Sequence, residues 1–136
     1  MQTRVTHHPR IVRRHGPDVA LAVFVGGCLG TLLRAGVDDR LPHGGGAWPW
    51  ATFAVNLAGT ALLAVVVARV PLSSYRRPLV GTGFCGALTT FSTLQIEVIR
   101  LARNGHTLLA VAYLAATVAA GMAVMVVARR VARRTL

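Results

Sequence analysis

From Ala47 to Ala68 the chain runs 22 residues without an ionisable side chain. A helix of that length rises about 33 Å, enough to cross the hydrocarbon of a bilayer. A soluble domain offers few places to bury such a segment on every side. Three more apolar runs accompany it: Val19 to Leu33, Pro78 to Ile96 and Thr107 to Ala128. In lipid every backbone polar group needs a partner from the chain itself, so runs of this kind fold as helices. The sequence therefore predicts an all-α integral membrane protein with four transmembrane helices. Residues 1–17 form a basic N-terminal arm, expected to be disordered on the membrane surface. The membrane domain spans 18–130, and residues 131–136 form a short basic tail.

The formal charge of +11 comes from 15 Arg and no Lys, set against three Asp and one Glu. Such a balance also suits nucleic-acid binding, but the arginines form no stripe. They sit at the ends of the apolar runs, where positive charge anchors a membrane protein. With four spans, the N-terminal arm, the second connection and the C-terminal tail share one side. That side carries Arg4, Arg10, Arg13, Arg14, Arg69, Arg76, Arg77, Arg129, Arg130, Arg133 and Arg134. The other carries Arg34, Arg40, Arg100 and Arg103. Arginine near span ends is retained in the cytoplasm, so this bias predicts both termini there. Cys28 and Cys85 lie inside apolar runs and read as small hydrophobes, with no Cys/His spacing that would hold a metal.

The stretch Gly81 to Glu97 is poorly made for a regular helix. Gly81, Gly83 and Gly86 loosen the backbone. Thr89, Thr90, Ser92 and Thr93 then surround Phe91 with hydroxyls that can satisfy backbone groups freed by unwinding. The third helix is thus expected to be broken at mid-membrane. Close packing of an unbroken helix through small residues is the plainer alternative. In the second run Thr52, Asn56 and Thr60 recur every fourth residue and share one face. An interhelical hydrogen bond and an ion path both account for an amide at that depth. Arg34 closes a first run of only 15 residues, so it must snorkel or face a wet cavity. Glu97 and Arg100, three apart, read most simply as an ion pair.

The spans lack much of the chemistry found in other small membrane proteins. The first, second and fourth runs contain no carboxylate for proton coupling, and Glu97 stands near the end of the third. No His lies inside a run to serve as the base for a nucleophile, so the chain does not read as an enzyme. What remains is a set of uncharged donors: Thr52, Asn56, Tyr113, Thr117 and the hydroxyls around Phe91. With Arg34 at one mouth, such a set favours a small anion that accepts hydrogen bonds.

Four segments in order carry a resemblance. Gly26-Gly27-Cys28-Leu29-Gly30-Thr31-Leu32-Leu33-Arg34 resembles the first-span motif of the bacterial fluoride-specific ion channel family (Fluc/CrcB). Thr52-Phe53-Ala54-Val55-Asn56-Leu57-Ala58-Gly59 resembles its second-span motif. Gly83-Phe84-Cys85-Gly86-Ala87-Leu88-Thr89-Thr90-Phe91-Ser92-Thr93 resembles its third-span signature, followed by the expected acid, Glu97. Tyr113 and Thr117 fit its fourth-span polar ladder.

The resemblance implies a multi-pass protein of the bacterial plasma membrane that lowers cytoplasmic fluoride by passive export. It implies an antiparallel dimer with two pores and a structural Na+ at its centre, held by the backbone carbonyls of Gly86 and Thr89. Asn56 would donate to fluoride, with Thr52, Tyr113, Thr117 and Arg34 along the path and Phe91 as the first pore aromatic. Single-gene members insert both ways, and the arginine bias of this chain departs from that dual topology. The second aromatic position holds Leu94, and Gly121 stands where a serine often continues the ladder. Homodimer and heterodimer with an oppositely oriented relative both stay open, as does a non-conducting partner subunit. A small four-helix multidrug transporter is the remaining alternative, and it needs a first-span carboxylate that is absent here. Removing the Asn56 amide is expected to reduce flux while leaving assembly nearly intact.

Overall fold

A computed structural model of the chain describes residues 16–41 and 46–134. The basic arm up to residue 15, with its arginines, therefore lies outside the described residues, as do Pro42, His43 and residues 135–136. Four helical segments are long and apolar enough to cross a membrane, as the sequence predicts.

Helix α1 is Gly16–Arg40. Pro17 and Asp18 suit its first turn, because proline needs no hydrogen-bond acceptor there and a carboxylate complements the exposed N–H groups. It starts two residues before the expected domain boundary and runs on through Asp38 and Asp39. Nothing before Leu41 breaks it; Pro42 disfavours helical backbone in the residue preceding it. Helix α2, Trp50–Arg69, starts after Pro49 and stops at Val70, which is extended ahead of Pro71.

The third span is broken. A π-helix, Arg77–Cys85, opens it and passes into one α-turn, α3, Gly86–Leu88. Thr89 and Thr90 are then extended, at φ −76°, ψ 146° and φ −142°, ψ 124°, before α4 restarts over Phe91–Arg103. The widened winding of the first half was not evident from its glycines. Gly105, at φ +84°, makes the turn into α5, Thr107–Arg134, a conformation open to glycine at little cost. Helix α5 therefore continues four residues into the expected basic tail.

The first span lies along the broken third one, and α2 lies along α5, with α4 against α5 as well. Small residues bring the first pair together. A methyl on Gly26 would collide with the Leu79 carbonyl, and one on Gly30 with the Phe84 carbonyl. From the opposite side, a Cβ on Gly83 would lie 2.5 Å from the Val23 carbonyl oxygen. Backbone meets backbone along this seam, the arrangement that small residues permit in membranes. The second pair encloses the buried side chains Leu94, Leu101, Ala110 and Tyr113, with Trp48 and Phe53 packed on them. At the far end Arg69 Nε donates to the Ala132 carbonyl at 3.2 Å, tying the C-terminal ends of α2 and α5 together.

Candidate functional site

The site begins where the third span breaks. In a continuous helix the Thr90 N–H would bond the Gly86 carbonyl. Here it donates to Asn56 Oδ1 at 2.7 Å, and Asn56 Nδ2 donates back to the Thr90 carbonyl at 3.1 Å. A primary amide matches one residue of extended backbone, donor to acceptor and acceptor to donor. Asn56 thus pairs with the chain at the break as a neighbouring strand would. Gly59, one turn later, leaves room for Thr89: a Cβ there would stand 2.5 Å from Thr89 Cγ2.

The next turn repeats the diversion. Thr93 N–H bonds Thr90 Oγ1 at 3.2 Å, so Thr90 caps α4. The Thr89 carbonyl, like that of Gly86, is left without the N–H that a continuous helix would direct to it. Gly86 is exposed, with open space beside its Cα. These are the two carbonyls that the sequence resemblance assigns to sodium. Arg34, half-buried, donates from Nε to the carbonyl of Ala87, next to Gly86, at 3.3 Å. Arg34 therefore reaches back to the break. It also lines, with Asp38, Thr52, Thr90 and Thr93, a cavity of about 10 Å³. That is room for about one water-sized guest.

One turn away along α4 is a buried carboxylate. Glu97, 5% exposed, accepts from Thr52 Oγ1 at Oε1 and from Tyr113 Oη at Oε2, both at 2.7 Å. Three helices supply this cluster, and Tyr113 has no exposed surface in the chain. Short hydroxyl-to-carboxylate bonds of this kind are among the stronger hydrogen bonds of a protein interior. The carboxylate points inward to the hydroxyls, while Arg100 is exposed. Thr117, buried one turn beyond Tyr113, donates to the Tyr113 carbonyl at 2.8 Å, and Thr60 donates likewise to that of Asn56 at 2.7 Å.

The two aromatic positions part company. Phe91 is 67% exposed on the surface of the chain, whereas Leu94 is 3% exposed and belongs to the core against Tyr113. Three residues apart on α4, they differ in what covers them: Leu94 is packed against α5, whereas Phe91, in the first turn, is left exposed. The structure thus brings Asn56, Thr52, Tyr113, Thr117, Gly86, Thr89 and Arg34 around the break and the carboxylate. It places Phe91 on an outer face and Leu94 inside the packing. The sequence does not single out Thr90 as the N-cap of α4, although threonine is a favoured N-cap residue.

The family model described as CrcB-like protein, Camphor Resistance (CrcB), matches residues 21–129. The chain belongs to the CrcB-like family. Among its curated relatives, Fluoride-specific ion channel FluC 1 of Mycolicibacterium paratuberculosis is 44% identical over 83% of this chain and 89% of its own length. The protein of the same name from Mycobacterium tuberculosis is 45% identical over the same shares. Fluoride-specific ion channel FluC of Chlorobaculum tepidum is 41% identical over 76% of this chain and 85% of its own. Membership in the CrcB-like family, with four spans, makes the chain a multi-pass protein of the bacterial plasma membrane. It also removes the multidrug-transporter alternative.

Proposed function

We propose that this chain is a subunit of a fluoride-specific ion channel and lets cytoplasmic fluoride leave down its electrochemical gradient. It is a channel and not an enzyme. The observation that carries this reading is the 45% identity, over 83% of the chain, to a protein named for that activity. The donor chemistry supports it. Thr52 and Tyr113 already direct their hydroxyl hydrogens at one anion, the Glu97 carboxylate. A fluoride ion passing the cluster is an acceptor that competes for those same hydrogens, so transfer needs only rotation about side-chain bonds. Arg34 supplies fixed positive charge beside the cavity, and Asn56 keeps one amide hydrogen beyond the one that Thr90 takes.

Two subunits would pair antiparallel, with Phe91 and the exposed faces of α1 and α4 covered by the partner. The Gly86 and Thr89 carbonyls fit a structural Na+ at such an interface: they are hard oxygen donors whose usual helical partners are diverted to side chains. Their role is to hold the ion between the broken spans, and the ion would balance the carbonyl dipoles that meet there. A second reading, in which the chain is one half of a heterodimer, rests on its arginine distribution. Leu94, placed in the core, then leaves the second pore aromatic to the partner.

The test is fluoride efflux from liposomes holding this chain alone, read with a fluoride electrode. Fast fluoride efflux with chloride retained is the expected result. Equal passage of chloride overturns the fluoride reading. Efflux that appears only with an oppositely oriented relative supports the heterodimer.

A further inference from the structure

The hydroxyl hydrogens of Thr52, Tyr113 and Thr117 have acceptors, but one nearby donor does not. Trp48 stands just before α2, and its Nε1 is buried with no hydrogen-bond partner among the described residues. Its ring meets that of Tyr113 edge to face, with centroids 5.2 Å apart and planes at 84°, and meets Phe53 likewise at 5.6 Å and 79°. Tyr113 in turn holds Glu97, which holds Thr52. Trp48 is therefore the next ring outward from the carboxylate cluster, on the same end of the bundle.

We propose that the Trp48 indole N–H is a fluoride donor, the step that follows Tyr113 on the way to the membrane surface. This rests on the fluoride reading above and adds a residue to its path. An indole N–H donates and cannot accept, so only an acceptor complements it. A buried indole usually has such a partner, and leaving a buried donor without one costs about 1–3 kcal/mol. The rings of Trp50, Phe53 and Tyr113 stand around Trp48, so an acceptor that reaches its N–H must be small enough to pass between rings. Fluoride is the smallest halide and the strongest acceptor among them. A neutral donor also suits a site of passage, because it holds an anion less firmly than a fixed cation does.

The chain has two tryptophans, which makes the donor directly observable. In the ¹⁵N-labelled, assembled protein, the two indole N–H resonances are assigned with Trp50→Phe. Sodium fluoride is then titrated against equal sodium chloride. The Trp48 indole proton is expected to move and saturate with fluoride, to stay fixed in chloride, and to leave the Trp50 resonance unchanged. A Trp48 resonance that ignores fluoride, or follows chloride equally, overturns the proposal; a water or a ring face would then be the partner of the N–H. In efflux, Trp48→Phe keeps the aromatic packing and removes the hydrogen, with an expected loss of about tenfold. Parental efflux from that variant also overturns the proposal. If the variant does not assemble, the indole titration of the parental chain decides. A parental chain that conducts fluoride with an unmoved indole refutes this donor alone, whereas one that conducts none, either by itself or with an oppositely oriented relative, refutes the fluoride reading itself.

Discussion

A hydroxyl has one hydrogen, and its direction decides what the residue can offer an anion. Thr52 and Tyr113 aim theirs at Glu97, whereas Thr117 aims its own at the backbone. Tyr113→Phe removes one of the two donors without changing the ring. Its expected effect is a loss of about tenfold or more in fluoride efflux, since one charge-assisted bond contributes about 1.5–3 kcal/mol and about 1.4 kcal/mol corresponds to tenfold. Thr117→Val should leave efflux within about threefold, because a hydroxyl bonded to its own helix contributes little. Liposome efflux of the two variants side by side distinguishes these roles, and equal losses would contradict the assignment. Asn56 differs from both. Its amide pairs with the N–H and the carbonyl of Thr90, so Asn56→Ala leaves two half-buried backbone groups without their partners. The sequence-based expectation of intact assembly therefore changes. Asn56→Ala should lower unfolding stability by about 1–3 kcal/mol as well as flux, measurable as a shift in thermal unfolding in detergent.

Among the elements, the seam between α1 and the broken span is the least forgiving. Gly26 and Gly30 face carbonyls of the third span with no room for a methyl, whereas Gly27 has nothing within 4 Å. Gly26→Ala and Gly30→Ala should separate these helices and reduce the monodisperse yield sharply. Gly27→Ala should be neutral or slightly stabilising, since alanine favours a helix by about 0.5–1 kcal/mol over glycine. Equal behaviour of the three in size-exclusion chromatography would contradict this packing. The contact between α4 and α5 is tight in another way. Leu94→Phe introduces a ring into a filled core and should destabilise the protein by about 1–3 kcal/mol. A ring there would enter the core and not join Phe91, which is exposed. Thermal unfolding of Leu94→Phe with an unshifted midpoint would show that the core has room.

For the whole molecule, arginine placement sets orientation. Arg69, Arg76, Arg77, Arg129, Arg130, Arg133 and Arg134 belong to one end of the bundle, and Arg34, Arg40, Arg100 and Arg103 to the other. Even without the N-terminal arm this is seven against four. The expected outcome is a single orientation with the C-terminus in the cytoplasm. Reporters fused to the C-terminus in living cells, one active inside and one outside, check it. Comparable signal from both would establish dual insertion and remove the need for a partner of opposite bias. A single signal makes an antiparallel pair of identical chains impossible in one membrane. An antiparallel dimer would then need a related chain of opposite bias.

Four spans, residence in a membrane and a break in the third span were legible along the chain. Each depends on local composition: the length of apolar runs, arginines at their ends, and glycines beside hydroxyls. The identities of Asn56, Thr52, Tyr113 and Thr117 as polar residues at depth were legible for the same reason. Their partners were not. Thr52 meets Glu97 across 45 residues of sequence, and Asn56 meets Thr90 across 34. Periodicity states which face of a helix a residue occupies, but the rotation and depth of the neighbouring helix decide what that face meets. Glu97 thus bonds hydroxyls from two other helices, where spacing on its own helix pointed to Arg100. The π-winding of Arg77–Cys85 and the burial of Leu94 also belong to the tertiary structure. Helix α1 presses its glycines onto the first half of the third span, and α5 packs against the second half, α4.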